Sequence, residues 1–161
     1  MKYLKTSLLL IIAPFLFLIS CDEEREPVGP DGRTEIEIRA LELINTHRGS
    51  LGLAPLEHSP IIFDEARLHS SNMASRQVPL GHDGCSERIN RIQTQLTINF
   101  SGENVAFNGS ATPAITAVDQ WLASSGHRSN IENDRFTHCG LAAVPDNNGL
   151  YYFTHILVEG Q

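Results

Sequence analysis

The stretch THCGLAAVPDNNGLYYFTHILVEG, residues 137–160, decides the fold class. Two runs rich in β-formers flank a polar segment that ends in Asn148-Gly149, a pair favoured in type I′ turns. The chain should therefore close on a β-hairpin, with a connection of two residues or somewhat more. What precedes it reads as helix. Helices first and a hairpin last predict an α+β domain, with helices packed over an antiparallel sheet.

The helical segments carry their own start and stop signals. In TEIEIRALELINTHRGSLGL, Thr34 and Glu37 form a capping box, and Ile36, Ala40, Leu41 and Ile44 line one face. Gly49 and Gly52 mark its end. A second helix is expected over residues 59–77, with Ser59 as N-cap, Pro60 in its first position and Ile62, Ala66, His69 or Ser70, and Met73 inward. Ser86 should cap a short third helix, ERINRIQTQ, which turns Ile89 and Ile92 inward. A strand-like stretch covers Glu103 to Phe107. A fourth helix starts at Thr112-Pro113 and carries Ile115, Val118 and Leu122, with Trp121 beside them. Trp121 and Phe107 read as core residues.

The N-terminus reads as an address. Lys2 and Lys5 precede an apolar run from Leu8 to Ile19, shorter than the roughly 18–20 residues a spanning helix needs and interrupted by Pro14. Its end, Leu18-Ile19-Ser20-Cys21, resembles the lipobox of bacterial lipoproteins. That resemblance implies residues 1–20 as a signal peptide, lipid on Cys21, and a membrane-anchored protein facing the periplasm or the cell surface. Residues 21–33, with DEEREPVGPDGR after the cysteine, read as an acidic, disordered linker. Residues 34–161 then make one domain, long enough for a real core and expected to be monomeric.

Charge and cysteines narrow the partners. The net charge is −7, and both lysines lie in the signal. Nucleic acid and anionic lipid headgroups are therefore poor candidate partners, and no nucleic-acid partner is expected. With Cys21 lipidated, Cys85 and Cys139 remain, and an even pair in an exported protein predicts a disulfide, two buried thiols being the alternative.

There is no HExxH, CxxC pair, Walker loop, GxGxxG or GxSxG elbow. The chemistry-bearing residues instead sit in glycine-flanked pieces: GHDG (81–84), SGENVAF (101–107) and WLASSGHRSNI (121–131). They present His82, Glu103 and His127. Glycine permits turns and close approach, and residues sited this way more often serve a site than a core. Each also has a structural reading: His82 bonding a turn, Glu103 as a paired structural acid, His127 capping the helix after Ser125. His47, His58, His69 and His138 read as surface or structural, while His155 on the last strand faces either way.

The order NTHRGSLGLAPL, GHDG, GENVA, W-x5-GHR-x-N-I, CGLA and YYFTHILVEG resembles the CAP superfamily of cysteine-rich secretory, antigen 5 and pathogenesis-related proteins, in its bacterial branch. The resemblance implies a three-layer α-β-α sandwich with a cleft holding two histidines and two acids. Matching motif by motif assigns His82, Glu103 and His127 to that cleft. The second acid usually lies three residues after the helix tryptophan, and here that position is Ser124; Asp119 and Glu132 are near but match no motif. Two imidazoles and a carboxylate are a known set for Zn²⁺ or another divalent cation. Two functions follow as expectations: an extracellular or envelope module binding lipid, peptide or another ligand, or a metal-dependent hydrolase acting on peptide or cell-envelope polymers. The missing acid favours binding.

Overall fold

Thr34 opens the domain as expected. Its side chain accepts from Glu37 N, and the Glu37 carboxylate accepts from Thr34 N at 2.7 Å, starting helix α1 (Glu35–Ser50). The computed structural model describes residues 28–160. The expected signal peptide, residues 1–20, and Cys21 lie outside the described residues. Within the expected linker, residues 28–34 fold into a turn closed by a Val28–Thr34 bridge, and Arg67 donates to Gly32 O at 2.8 Å. The ordered domain therefore starts earlier than composition indicates.

After α1 come a two-residue strand β1 (Glu57–His58), helix α2 (Pro60–Ala74), helix α3 (Cys85–Gln93) and strand β2 (Ile98–Asn108). Helices α4 (Pro113–Ala123) and α5 (Ser125–Ile131) lead into the terminal hairpin, β3 (His138–Pro145) and β4 (Tyr151–Gly160). The sheet order is β1-β3-β4-β2. It is antiparallel except for β1, which runs parallel to β3 and was not legible as a strand. The hairpin connection is longer than a two-residue turn: Asp146 O accepts from Gly149 N, and Asp146 Oδ1 accepts from Asn148 N and Leu150 N.

Alternation along the strands builds two cores, one on each face of the sheet. Leu141, Ala143, Phe153 and Leu157 pack with α1, α4 and α5, while Ala142, Ile156 and Val158 pack with α2 and with Ile92 of α3. This is the three-layer α-β-α sandwich. The tightest seam lies where α2 crosses β3 at Gly140: a Cβ built there would stand 2.3 Å from Ile62 C and Phe63 N. Only glycine lets the helix lie that close.

Three sequence expectations need correction. Helix α3 starts at Cys85, not after Ser86, because Gly84 takes the cap position in a left-handed conformation (φ 75°) and its carbonyl accepts from Arg88 N. On α4 the buried face is Ala114, Ala117, Val118 and Trp121, which leaves Ile115 exposed. That face packs with α1 and the sheet in one core. Phe107 is also exposed, stacked on Tyr152 with ring centroids 6.0 Å apart. It lies past the end of the core, on the face that α2 leaves uncovered.

The disulfide is not formed; Cys85 and Cys139 are free thiols. Cys139 sits in β3 within the α1-side core, and burial pushes its thiol up to about 12. Cys85 begins α3 on the other face, beside Glu103 of β2. Strands β3 and β2 are separated by β4, a lateral gap of roughly 10 Å. That exceeds the roughly 7 Å Cα limit for a bridge even before the opposed faces are counted.

The seam at Gly140 makes a direct prediction. Gly140→Ala destabilises the domain by about 3 kcal/mol or more, the upper end for overpacking, because the clash is with backbone. Gly126→Ala, in helix α5 with open space around it, is neutral to stabilising by up to roughly 1 kcal/mol. Urea unfolding of both variants checks the contrast, and equal midpoints would refute the seam.

Candidate functional site

The site grows from a buried charge on an edge strand. Glu103 lies in β2 on the α2/α3 face, opposite Ile156, with its side chain only 2% exposed. A carboxylate so placed requires compensation. Arg88, one helical turn before buried Ile92, supplies it: Nε donates to Glu103 Oε2 at 2.9 Å and Nη2 to Oε1 at 2.7 Å. This is the planar two-point pairing that arginine makes with carboxylates.

The rest of the guanidinium fixes the surroundings. Nη1 donates to Asp83 O at 2.7 Å and to His69 Nδ1 at 3.1 Å. His69, buried in α2, donates in turn from Nε2 to Gly81 O at 2.9 Å. Its imidazole is thus neutral with the hydrogen on Nε2; burial first, and the Arg88 charge as well, lower its pKa. The loop carrying His82 is held through two of its carbonyls, those of residues 81 and 83.

His82 completes the cluster. Its Nδ1 lies 2.9 Å from Glu103 Oε1, and half of its side chain is exposed (52%). A carboxylate oxygen there accepts, so Nδ1 carries the hydrogen. His127 approaches from α5. Partial burial first, and the neighbouring His82 after it, lower its pKa. Asn104 anchors His127 by donating to its backbone oxygen at 3.1 Å, and Asn130 donates to Asn104 Oδ1 at 2.8 Å.

A cleft of about 280 Å³, lined chiefly by Leu80, Val105, Phe107, Trp121, Ser124 and His127, opens on the His127 side of the cluster; of the three sought residues it takes in His127 but not His82 or Glu103. Larger hollows, such as one of about 580 Å³ along α1, contain no histidine. Ser124, where the second acid was sought, does line this cleft. Glu132 is turned away and pairs with His47 at 2.9 Å, while Asp119 is exposed on α4. Behind the cleft, fully buried His155 stacks on Trp121 at 5.6 Å. Neither His155 nitrogen nor Trp121 Nε1 has a protein hydrogen-bond partner. Burial lowers the His155 pKa to about 3, so it stays neutral. That resolves which way it faces: into the α4-side core.

The three residues sought for metal do not make a preformed metal centre. Both Glu103 oxygens are engaged by Arg88, and among the described residues no three His, Cys, Asp or Glu side chains are grouped to hold an ion. The residues present do not fit zinc. Arg88 and His69 were the residues missed from the sequence. The available signal was that Arg88 sits four residues before Ile92 on an amphipathic helix, hence on its inward face, where an arginine needs an acid.

A profile of the cysteine-rich secretory protein (CAP) family matches residues 41–158. The uncharacterized protein YkwD of Bacillus subtilis is 31% identical over 118 residues, covering 72% of this chain and 45% of YkwD. The chain spans less than half the length of the curated relatives it matches, 45% and 32%. Among solved structures, an extracellular protein with an SCP domain from Bacillus anthracis gives a TM-score of 0.65 at 24% identity, over 83% of this chain and 45% of that one. An outer surface protein of Borrelia burgdorferi gives 0.67 at 17% identity, over 79% and 94%. At these identities the structural likeness is one of fold.

The buried His155 sets a pH dependence. Unfolding releases it to its ordinary pKa near 6.5, whereas the folded state holds it near 3. Its contribution is therefore complete above pH 6.5 and is lost as pH falls through that window, at about 1 kcal/mol per pH unit. His155→Phe, which keeps a ring against Trp121, should reduce the loss of unfolding free energy between pH 6.5 and 5 by about 1–2 kcal/mol. Parallel stability curves for variant and wild type would exclude this assignment.

Proposed function

The chain belongs to the cysteine-rich secretory protein (CAP) family, and on that premise we propose that it is an exported, lipid-tethered binding module. Its cleft between the 78–84 loop, β2 and α4–α5 takes an extracellular or envelope ligand. The observation that carries this reading is the state of Glu103. A carboxylate held at both oxygens by a buried arginine is not free to take a proton from water or substrate. What remains accessible is a mostly apolar cleft with His127, Gln120 and Ser124 at its walls. Apolar walls with a few convergent polar groups are the usual make-up of a small-ligand site.

Export is supported by the signal-like N-terminus and by the relatives, one described as extracellular and one as an outer surface protein. Lipid on Cys21 would place the cleft beside a membrane surface, with the acidic residues 22–27 as part of the tether. No helix among the described residues is long and apolar enough to cross a membrane.

Hydrolysis is the second reading, and one observation favours it. Glu103 orients His82 as an Nδ1–H tautomer, which leaves Nε2 as a base. No activated nucleophile accompanies it: the Cys85 thiol is shifted up by burial and by Glu103, away from the thiolate form.

Two experiments test the proposal. Full-length protein expressed with an alkyne fatty acid takes up label, and Cys21→Ala abolishes it; equal labelling of the variant refutes the tether. Purified full-length protein binds extracted envelope lipids or cell-wall sacculi, at least tenfold more weakly in Leu80→Asp/Phe107→Asp, without cutting peptides or sacculi. Turnover by wild type that vanishes in His82→Ala/His127→Ala would replace binding by hydrolysis.

A further inference from the structure

We propose that Arg88 is the resident cation of this site: its guanidinium engages both oxygens of Glu103, the carboxylate a divalent metal would need, and it makes the cluster metal-independent. Three observations carry this. The fork from Arg88 engages both carboxylate oxygens at 2.9 and 2.7 Å, while Arg88 and Glu103 side chains are 5% and 2% exposed. A metal could reach Glu103 only by displacing a buried guanidinium, which would leave that charge unpaired.

The neighbouring imidazoles are committed in the same way. His69 accepts from Arg88 on Nδ1 and donates to Gly81 O from Nε2, so it offers no lone pair. His82 gives its Nδ1 hydrogen to Glu103, leaving only Nε2 available. The nitrogens that remain, His82 Nε2 and one on His127, are fewer than the three protein ligands typical of a zinc site.

Arg88 is on this account a positioning residue. It holds Glu103, Glu103 holds His82 as the Nδ1–H tautomer, and Nε2 is presented as a fixed acceptor for a ligand N–H or O–H. The inference goes beyond the binding proposal and does not depend on it, since zinc and tautomer state are read without any organic ligand.

The test uses the full-length protein, zinc chloride alone and imidazole ¹⁵N spectra at pH 7.5. In wild type, a tenfold excess of zinc leaves the melting temperature and the His82 resonances unchanged, and His82 shows the Nδ1–H signature. Arg88→Met frees Glu103 and gains 1:1 zinc binding at least tenfold tighter than any in wild type; the gain is lost in Arg88→Met/His82→Ala. Arg88→Lys, which keeps a cation, gains none. Stoichiometric zinc binding by wild type that His82→Ala abolishes would overturn the proposal, as would a folded Arg88→Met that binds zinc no better. Should Arg88→Met fail to fold, the wild-type spectra decide, and an Nε2–H His82 or zinc-shifted resonances refute it.

Discussion

The pairing of Arg88 with Glu103 is the constraint from which the site follows. Glu103 belongs to an edge strand, and its side chain turns toward the helices α2 and α3 rather than toward water. Burying a lone carboxylate is prohibitive, so the strand tolerates it only while a cation from another element stands against it. Arg88 does so from α3, and thereby fixes how α3 lies against β2. Such a pair adds little net stability compared with an apolar contact, but breaking it by removing one partner costs about 3–5 kcal/mol. Its role is to specify geometry: one guanidinium joins β2, α3, the 78–84 loop and, through His69, α2.

The sheet gives this cluster something rigid to stand on. Its two faces bury separate cores, and α2 is pressed onto β3 at Gly140 with no room for a methyl group. A second buried arginine does similar work on the other face. Arg48, fully buried at the end of α1, donates to the carbonyls of Ala54, Ile131, Asn133 and Phe136, so it ties α1 to the end of α5 and the entry of β3. Helix α5 carries His127, and the β2 carboxylate carries His82. The two walls of the cleft are thus referred to the same sheet from opposite faces.

Local chemistry was legible where it is decided locally. The Thr34/Glu37 capping box, Pro60 and Pro113 as helix starts, and the terminal hairpin depend on neighbours within a few residues, and each is as read. The glycine-flanked motifs do gather in space: His82 and Glu103 touch, and His127 has His82 as a neighbour. What escaped depends on partners distant in sequence. Ile115 and Phe107 looked apolar enough for a core but face positions where no element covers them. The parity of Cys85 and Cys139 said nothing of the strand between them. Arg88 was overlooked because an arginine in a polar helix resembles surface until its acid, fifteen residues later, is folded against it.

The loop that holds His82 shows why these long-range partners matter for recognition. Residues 78–84 form no helix or strand, and an irregular segment left alone would lose freedom on meeting a ligand. Here its carbonyls at 81 and 83 are already bound by His69 and Arg88, and Cys85 N donates back to His82 O at 3.0 Å. The opposite wall is equally fixed, with Trp121 packed between His155 and Phe153. Both walls are therefore ordered by the fold itself, so that for a ligand of the kind proposed the conformational entropy of ordering them is met by folding rather than by binding.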